Sequence, residues 1–365
     1  MGSIVSLLSG AGFLPEPEQK PVILASRAST LAQIQTNAVL DTIRSLNPTN
    51  EFAASFMTTE GDKNQAQALY LLGGKSLWTK ELEVALLEGD VDILVHCVKD
   101  VPTTLPPGCE LGAILEREDP VDVLVVKKGL PYKSLADLPN GSVVGTSSVR
   151  RVAQLRKSFP KLEFKDICIR KLTCCRNTRL AKLDAPTGPY VAIILAKAGL
   201  VRLGFDSRIT CPVASPTLYY AVGQGALCVE VRSDDPKIKT LAASLNHWQT
   251  EWQCRAERAC LRVLEGGCSV PVGVETTLVP LRGTTLGKEP ERCMLTLTGT
   301  VTGLQGTPHV EHTIMEEVGS VTEAEAIGVL LARYLMDHGA KAILEDIGKD
   351  RDNRNAIANK VPAAN

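Results

Sequence analysis

Three stretches of this chain combine residue types that can do chemistry. In GTSSVRR (145–151), Thr146, Ser147 and Ser148 open a helix whose first turn carries Arg150 and Arg151. The helix macrodipole disfavours cations at that end. An anion held between the helix end and the guanidiniums would account for them, because arginine offers a carboxylate a bidentate partner. A capped surface helix with two solvated arginines fits the same pattern equally well. Lys99 and Asp100 directly follow an apolar run. Ion pairing between domains would explain them, and so would a carboxylate placed for cationic chemistry. At ~4 Å and an effective dielectric of ~20, a carboxylate stabilises a unit cation by about 4 kcal/mol. That is roughly a thousandfold in rate if the cation belongs to the transition state. In LEGGCSVP (264–271) two glycines precede Cys268. Glycine permits a tight turn that would expose the thiol as a nucleophile or attachment point. The alternative is a buried cysteine serving as a small hydrophobe. His309 and His312 lack a matching carboxylate pattern, so no metal site is read there.

The elements that must position these residues alternate between short apolar strands and amphipathic helices. Strands are expected at PVIL (21–24), VDILV (91–95), VDVLVV (121–126), SVV (142–144) and YVAIIL (190–195). Leu31, Ile34, Ala38 and Leu46 mark one helical face closed by Asn47-Pro48, and Val149, Val152, Leu155 and Phe159 mark another. The alternation predicts α/β layers with mainly parallel sheets, whose ligands collect where strands end and helices begin. Arg27, Lys99 with Asp100, and Thr146 to Arg151 all fall at such ends. Beyond about residue 240 a charged helix (252–264), an alternating strand (294–300) and a helix near 323–339 predict a smaller α+β domain.

Composition narrows the classes. The 365 residues suit two to three domains, and 44% hydrophobic with 22% charged residues is ordinary globular usage. A net charge of −1, with no basic stripe interleaved with aromatics, argues against nucleic-acid binding. No apolar run reaches the roughly 18 residues of a membrane span. Eleven cysteines, an odd number without a C-x-x-C pair, point to a reducing compartment. With no targeting signal read, the cytoplasm is the expected location.

Taken in series, ASRASTLAQIQT (25–36), TTEGDK (58–63), GGKSLWTKELE (73–83), VDILVHCVKDVPT (91–103), GTSSVRRVAQL (145–155), AIILAKAGLVRLG (192–204), YAVGQGALCVEVR (220–232) and LEGGCSVPV (264–272) closely resemble the porphobilinogen deaminase, or hydroxymethylbilane synthase, family. The HGAKAIL stretch (338–344) is similar to its closing helix. The resemblance implies two doubly wound, periplasmic-binding-protein-like α/β domains, 20–116 with 217–239 and 117–216, and a C-terminal α+β domain at 240–348. Residues 1–19 and 349–365 are expected to be flexible tails. It further implies a monomer carrying a covalent dipyrromethane cofactor on Cys268 through a thioether. Four porphobilinogen molecules would add in turn with loss of ammonia, and water would release hydroxymethylbilane.

Carried over position by position, the resemblance makes Asp100 the catalytic carboxylate, stabilising the azafulvenium cation left as ammonia departs. Lys99, Thr146, Ser147, Arg150, Arg151, Arg179, Arg202 and Gln224 would contact the cofactor, and Arg27, Ser29, Arg150 and Arg179 the substrate carboxylates. Residues 64–74 are a candidate lid over the cleft. The match breaks where the family carries an Arg-Gly-Asn-x-Asn-Thr-Arg loop. Here the chain reads ICIRKLTCCRNTR (167–179), so Arg170 or Arg176 would stand for the loop arginine. Cys97 and Ala28 replace a common serine and lysine. Misplacing Arg179 by about 1 Å can cost a hundredfold in rate. The alternative to an active transferase is therefore an impaired relative, altered at 168–176, that binds pyrrole carboxylates without turnover.

Overall fold

A computed structural model of the chain describes residues 20–59, 79–167, 178–264, 270–281 and 292–358. Cys268, the candidate lid at 64–74 and the altered segment at 168–176 lie outside the described residues. The strands are β1 (Val22–Arg27), β2 (Phe52–Met57), β3 (Ile93–Cys97), β4 (Cys109–Ile114), β5 (Asp122–Val126), β6 (Val143–Gly145) and β7 (Glu163–Lys165). They continue as β8 (Ala192–Ala196), β9 (Cys211–Val213), β10 (Leu227–Arg232), β11 (Val272–Pro280), β12 (Cys293–Thr302) and β13 (His309–Val318). The helices are α1 (Thr30–Leu46), α2 (Lys80–Glu88), α3 (Val149–Ser158), α4 (Thr178–Asp184) and α5 (Lys197–Arg202). After them come α6 (Pro236–Ala243), α7 (Trp248–Val263), α8 (Val321–Leu335) and α9 (Lys341–Ala358).

Two five-stranded sheets, ordered β2-β1-β3-β10-β4 and β7-β6-β8-β5-β9, are each followed through by helices, and a three-stranded meander β11-β12-β13 packs against α7 and α8. The fold is the expected α/β pair of doubly wound sheets with a smaller α+β domain. The sheets are mixed rather than mainly parallel, however. β1 runs parallel to β2 and β3, whereas β10 runs antiparallel to β3 and β4, and β5 runs antiparallel to β8 and β9. The antiparallel strands are those at which the chain leaves the first sheet for the second and comes back. A strand entering from the neighbouring layer needs no crossover helix and is free to run the other way.

Helix α1 begins where Ser29 caps the amide of Ala32 and ends at Asn47, before Pro48, which cannot continue a helix. Its buried face is Gln35, Thr36, Val39, Leu40 and Ile43, not the expected Leu31–Ile34–Ala38–Leu46 stripe. The stripe is rotated because two polar residues find partners inside: Thr36 Oγ1 donates to Ser26 Oγ at 2.6 Å, and Gln35 Nε2 approaches Cys97 Sγ at 3.2 Å. Ile34 and Leu46 are left exposed. At the C-terminal end, the chain kinks at Gly339 (φ 111°) between α8 and α9, and α9 runs to Ala358.

Candidate active site

The carboxyl ends of β1 and β3 lie on one edge of the first sheet because the two strands are parallel. β3 is buried along most of its length and passes directly into a single 3-10 turn, Val98–Asp100. β10 runs antiparallel to β3, with Leu227 opposite Cys97, so the turn preceding β10 meets the Asp100 turn. Two glycines permit that approach. Gly223 (φ +70°) would bring a Cβ within 2.4 Å of Val98 Cγ1, and Gly225 (φ +89°) within 2.2 Å of the Glu118 carbonyl. Neither position has room for a side chain.

Lys99 and Asp100 are half-buried, and among the described residues neither side chain forms a hydrogen bond or ion pair. The interdomain ion pairing considered for them is not seen. Arg202, at the end of α5, crosses from the second layer and donates to the Gly225 carbonyl at 2.6 Å. Burial pushes the neighbouring Cys97 thiol up; Asp100 adds to this, and Lys99 and Arg202 oppose it, so the four groups share one electrostatic neighbourhood. Arg27 and Ser29 flank the carboxyl end of β1 and are half-buried on the same edge.

A second group centres on Asp122, the fully buried first residue of β5. Arg150 Nη2 donates to Asp122 Oδ2 at 2.7 Å, and Arg151 Nη2 to Oδ1 at 2.7 Å. Arg150 also donates to the Tyr219 carbonyl, and Arg151 to that of Ile194. Gln224 Nε2 adds bonds of 2.9 Å to Asp122 Oδ1 and 2.6 Å to the Pro120 carbonyl. Burial opposes ionisation of Asp122, but Arg150 and Arg151 overcome it and hold the carboxyl well below the usual range. The arginines are not the solvated pair of a capped surface helix. Both side chains turn inward, at 4% and 7% exposure, and their anion is a residue of the chain itself. The signal was one aspartate in an otherwise apolar strand.

The third group surrounds a cavity of about 730 Å³. Thr146, Ser147 and Ser148, at the N-terminus of α3, form one wall, and Leu264 and Val270, the described residues flanking the Cys268 loop, form another. Val149 and Val152 face this cavity, while the buried side of α3 is Arg150, Arg151, Ala153, Gln154 and Leu155. Ser147 Oγ donates to Asp166 Oδ1 at 2.5 Å, and Thr146 Oγ1 accepts from the Ser148 amide at 3.3 Å. Arg179 stands exposed in the first turn of α4. His309 bonds Thr300 and Thr302, and His312 stacks on Tyr334, so the two histidines face different neighbours.

Compared with known proteins, residues 22–240 match the family model described as porphobilinogen deaminase, dipyromethane cofactor binding domain, and residues 252–337 match the model of the porphobilinogen deaminase C-terminal domain. The porphobilinogen deaminase of Yarrowia lipolytica is 46% identical over 92% of this chain and 96% of its own length. Those of Synechococcus elongatus (46%, over 90% of this chain and 96% of that one) and Saccharomyces cerevisiae (44%, over 90% and 97%) are similar along nearly their whole lengths. The chain belongs to the porphobilinogen deaminase family. Among solved structures, a periplasmic sulfonate-binding protein from Methylobacillus flagellatus is similar over 67% of this chain and 68% of its own, at 13% identity and a TM-score of 0.35.

The dipyrromethane group of this family brings four carboxylates and two pyrrole N–H groups, and it needs a polar cavity near the attachment cysteine. The 730 Å³ cavity has room for such a group and one hydroxyl-bearing wall, with Arg156 and Lys341 as its cations, but much of its lining is apolar and Asp166, Glu345 and Asp350 also face it. Reasoning from the sequence missed Asp122, Asp166, Arg117, Glu257 and Arg258. Asp122 carried a signal as a lone aspartate in an apolar run; the other four are charged residues in ordinary loop or helix, recognisable from what they touch.

Proposed function

We propose that this cleft condenses four porphobilinogen molecules head to tail with loss of ammonia and releases hydroxymethylbilane, and that Asp100 is the catalytic carboxylate. The observation that carries the assignment of Asp100 is its lack of a partner. Asp122 and Glu257 are neutralised by arginines, whereas Asp100 is half-buried with no hydrogen bond or ion pair among the described residues. A carboxylate held that way has its lone pairs available for pyrrole N–H groups and for the cation formed as ammonia leaves. At ~4 Å and an effective dielectric of ~20 the interaction amounts to about 4 kcal/mol.

Lys99, equally unpartnered, contacts the cofactor beside Asp100, and Arg27 and Ser29 at the neighbouring strand end take substrate carboxylates. Gln224 acts from the turn before β10 through Asp122, and Arg202 reaches that turn from the end of α5, over the cleft edge. Arg150 and Arg151 set the position of α3, so that Thr146 and Ser147 present its N-terminus to the cavity. Cys268 holds the dipyrromethane by a thioether, with Arg179 as a further carboxylate contact. When bound, that group supplies the nucleophilic pyrrole carbon from which the chain grows. The domain boundaries 20–116 with 217–239, 117–216 and 240–348 belong to the same proposal.

We also infer a cytoplasmic monomer acting on a small molecule without a nucleic-acid partner. Near-neutral net charge and described cysteines that are all free thiols support this, and no described helix is long and apolar enough to cross a membrane. The proposal is tested by the intact mass of the purified protein beside a Cys268→Ala variant, together with ammonia release from porphobilinogen. Added mass of two linked pyrrole units on the parent alone, with ammonia release, is expected. Absence of that mass from both proteins, without ammonia release, would favour the impaired relative.

A further inference from the structure

On the far side of the Asp100 turn, between the loop that follows it and the C-terminal domain, lies a second cavity of about 470 Å³. Its walls include Thr103, Glu110 and three arginines of α7, Arg255, Arg258 and Arg262, with Glu325 of α8 opposite. The three arginines fall at spacings of three and four residues and so share one helix face.

The charges of this cavity do not balance. Arg258 is 5% exposed, and its only described partners are two neutral carbonyls, those of Val101 at 3.1 Å and Pro102 at 2.6 Å. No described carboxylate pairs with it. Burial pushes its pKa down, and Arg255 and Arg262 push the same way. Arg255 has a buried Nε without a hydrogen-bond partner. Its ion pairs, 3.5 Å to Glu251 and 4.0 Å to Glu325, are long, and Glu325 is shared at 4.0 Å with Arg262. Glu110, the other acid on the wall, pairs at 2.9 Å with Lys239. A buried guanidinium without a counter-ion, flanked by two more, is costly to maintain without an anion. Every other deeply buried ionic centre described above, at Asp122 and Glu257, is neutralised within the chain.

We propose that this cavity is a binding site for a small oxyanion of two or more negative charges, held by Arg255, Arg258 and Arg262 and separate from the reaction cleft. The Arg255 and Arg262 side chains are 30% and 44% exposed, so solvent reaches the site, while Arg258 forms its floor. Two sources share this chemistry: inorganic phosphate and a dicarboxylate of the substrate's kind.

The test is a thermal-unfolding titration of the full-length protein, cofactor attached, with inorganic phosphate or succinate at constant ionic strength. The parent is compared with an Arg255→Gln/Arg262→Gln variant, which keeps the buried Arg258 and leaves the reaction cleft unaltered. A saturable rise in the parent's Tm, roughly 2 °C at ten times the Kd, is expected and should be lost in the variant. The stronger of the two anions identifies the source. An equal rise in both proteins would place the anion elsewhere, the reaction cleft included, and would overturn the proposal. So would the absence of a response to either anion in the parent.

Discussion

Asp100 and Asp122 show how one side chain takes opposite roles according to its partners. Asp122 is buried between two arginines and Gln224, and the pair energy offsets its desolvation. Its folded-state pKa lies below the unfolded value of ~3.9, so its contribution is fully present above that value and is lost as pH falls through the folded pKa. Asp122→Asn would leave two buried guanidiniums short of charge, with an expected loss of about 3–5 kcal/mol. Urea unfolding at neutral pH measures that loss. The variant should also lose the Asp122 share of the decline in stability expected of the parent below about pH 4. Asp100 carries no such burden. Asp100→Ala should unfold at the parent's temperature or slightly above it while turnover falls roughly a thousandfold. Near-normal product formation by that variant would remove Asp100 from its role.

At the level of elements, the Asp100 turn depends on the turn packed against it. Gly223→Ala places a Cβ against the Val98 side chain, one residue before Lys99, whereas Gly225→Ala places one against the Glu118 main chain. Both positions have positive φ, and each substitution should cost about 1–3 kcal/mol. The two should respond differently to a second change. Adding Val98→Ala to Gly223→Ala removes the obstructing Cγ1 and should recover part of the lost turnover. No side-chain change relieves Gly225→Ala, because its obstacle is a carbonyl. Steady-state rates of the two single variants and the double variant test this. The sequence carried the frame of this arrangement legibly: the apolar runs at β3 and β5, the Asn47-Pro48 stop of α1, and the polar residues at strand ends. What it hid were the contacts across layers. Gln35 and Thr36 lie off the apolar stripe expected for α1, yet their partners at Cys97 and Ser26 draw them in and rotate the buried face of the helix. Arg150 and Arg151 pointed to an anion, but nothing in their spacing showed that strand β5 provides it.

Across the whole molecule, Glu257 of α7 is the point at which the three parts meet. Its fully buried carboxylate accepts from Arg117 Nη1 at 2.6 Å and Nη2 at 3.1 Å, where the chain leaves the first sheet for the second. It accepts from the Gly223 amide at 2.7 Å, where the chain returns, and from Thr276 Oγ1 at 2.9 Å in the C-terminal meander. Arg117 in turn holds the Gln224 carbonyl at 2.7 Å and lies 4.8 Å from the centre of the Tyr220 ring. Both segments that link the two sheets are thus tied to one helix that packs on the C-terminal meander. Glu257→Gln keeps the shape but strands the Arg117 cation, with an expected loss of about 3–5 kcal/mol. The double variant Arg117→Met/Glu257→Met removes both charges and should be less destabilised than Arg117→Met or Glu257→Met alone, because neither partner is left buried and unpaired. Unfolding free energies of that double-mutant cycle decide whether the tie acts as a charge pair. If it also fixes the cleft, the double variant should recover stability without recovering turnover, because two apolar side chains cannot hold the Gly223 amide and the Gln224 carbonyl beside the Asp100 turn.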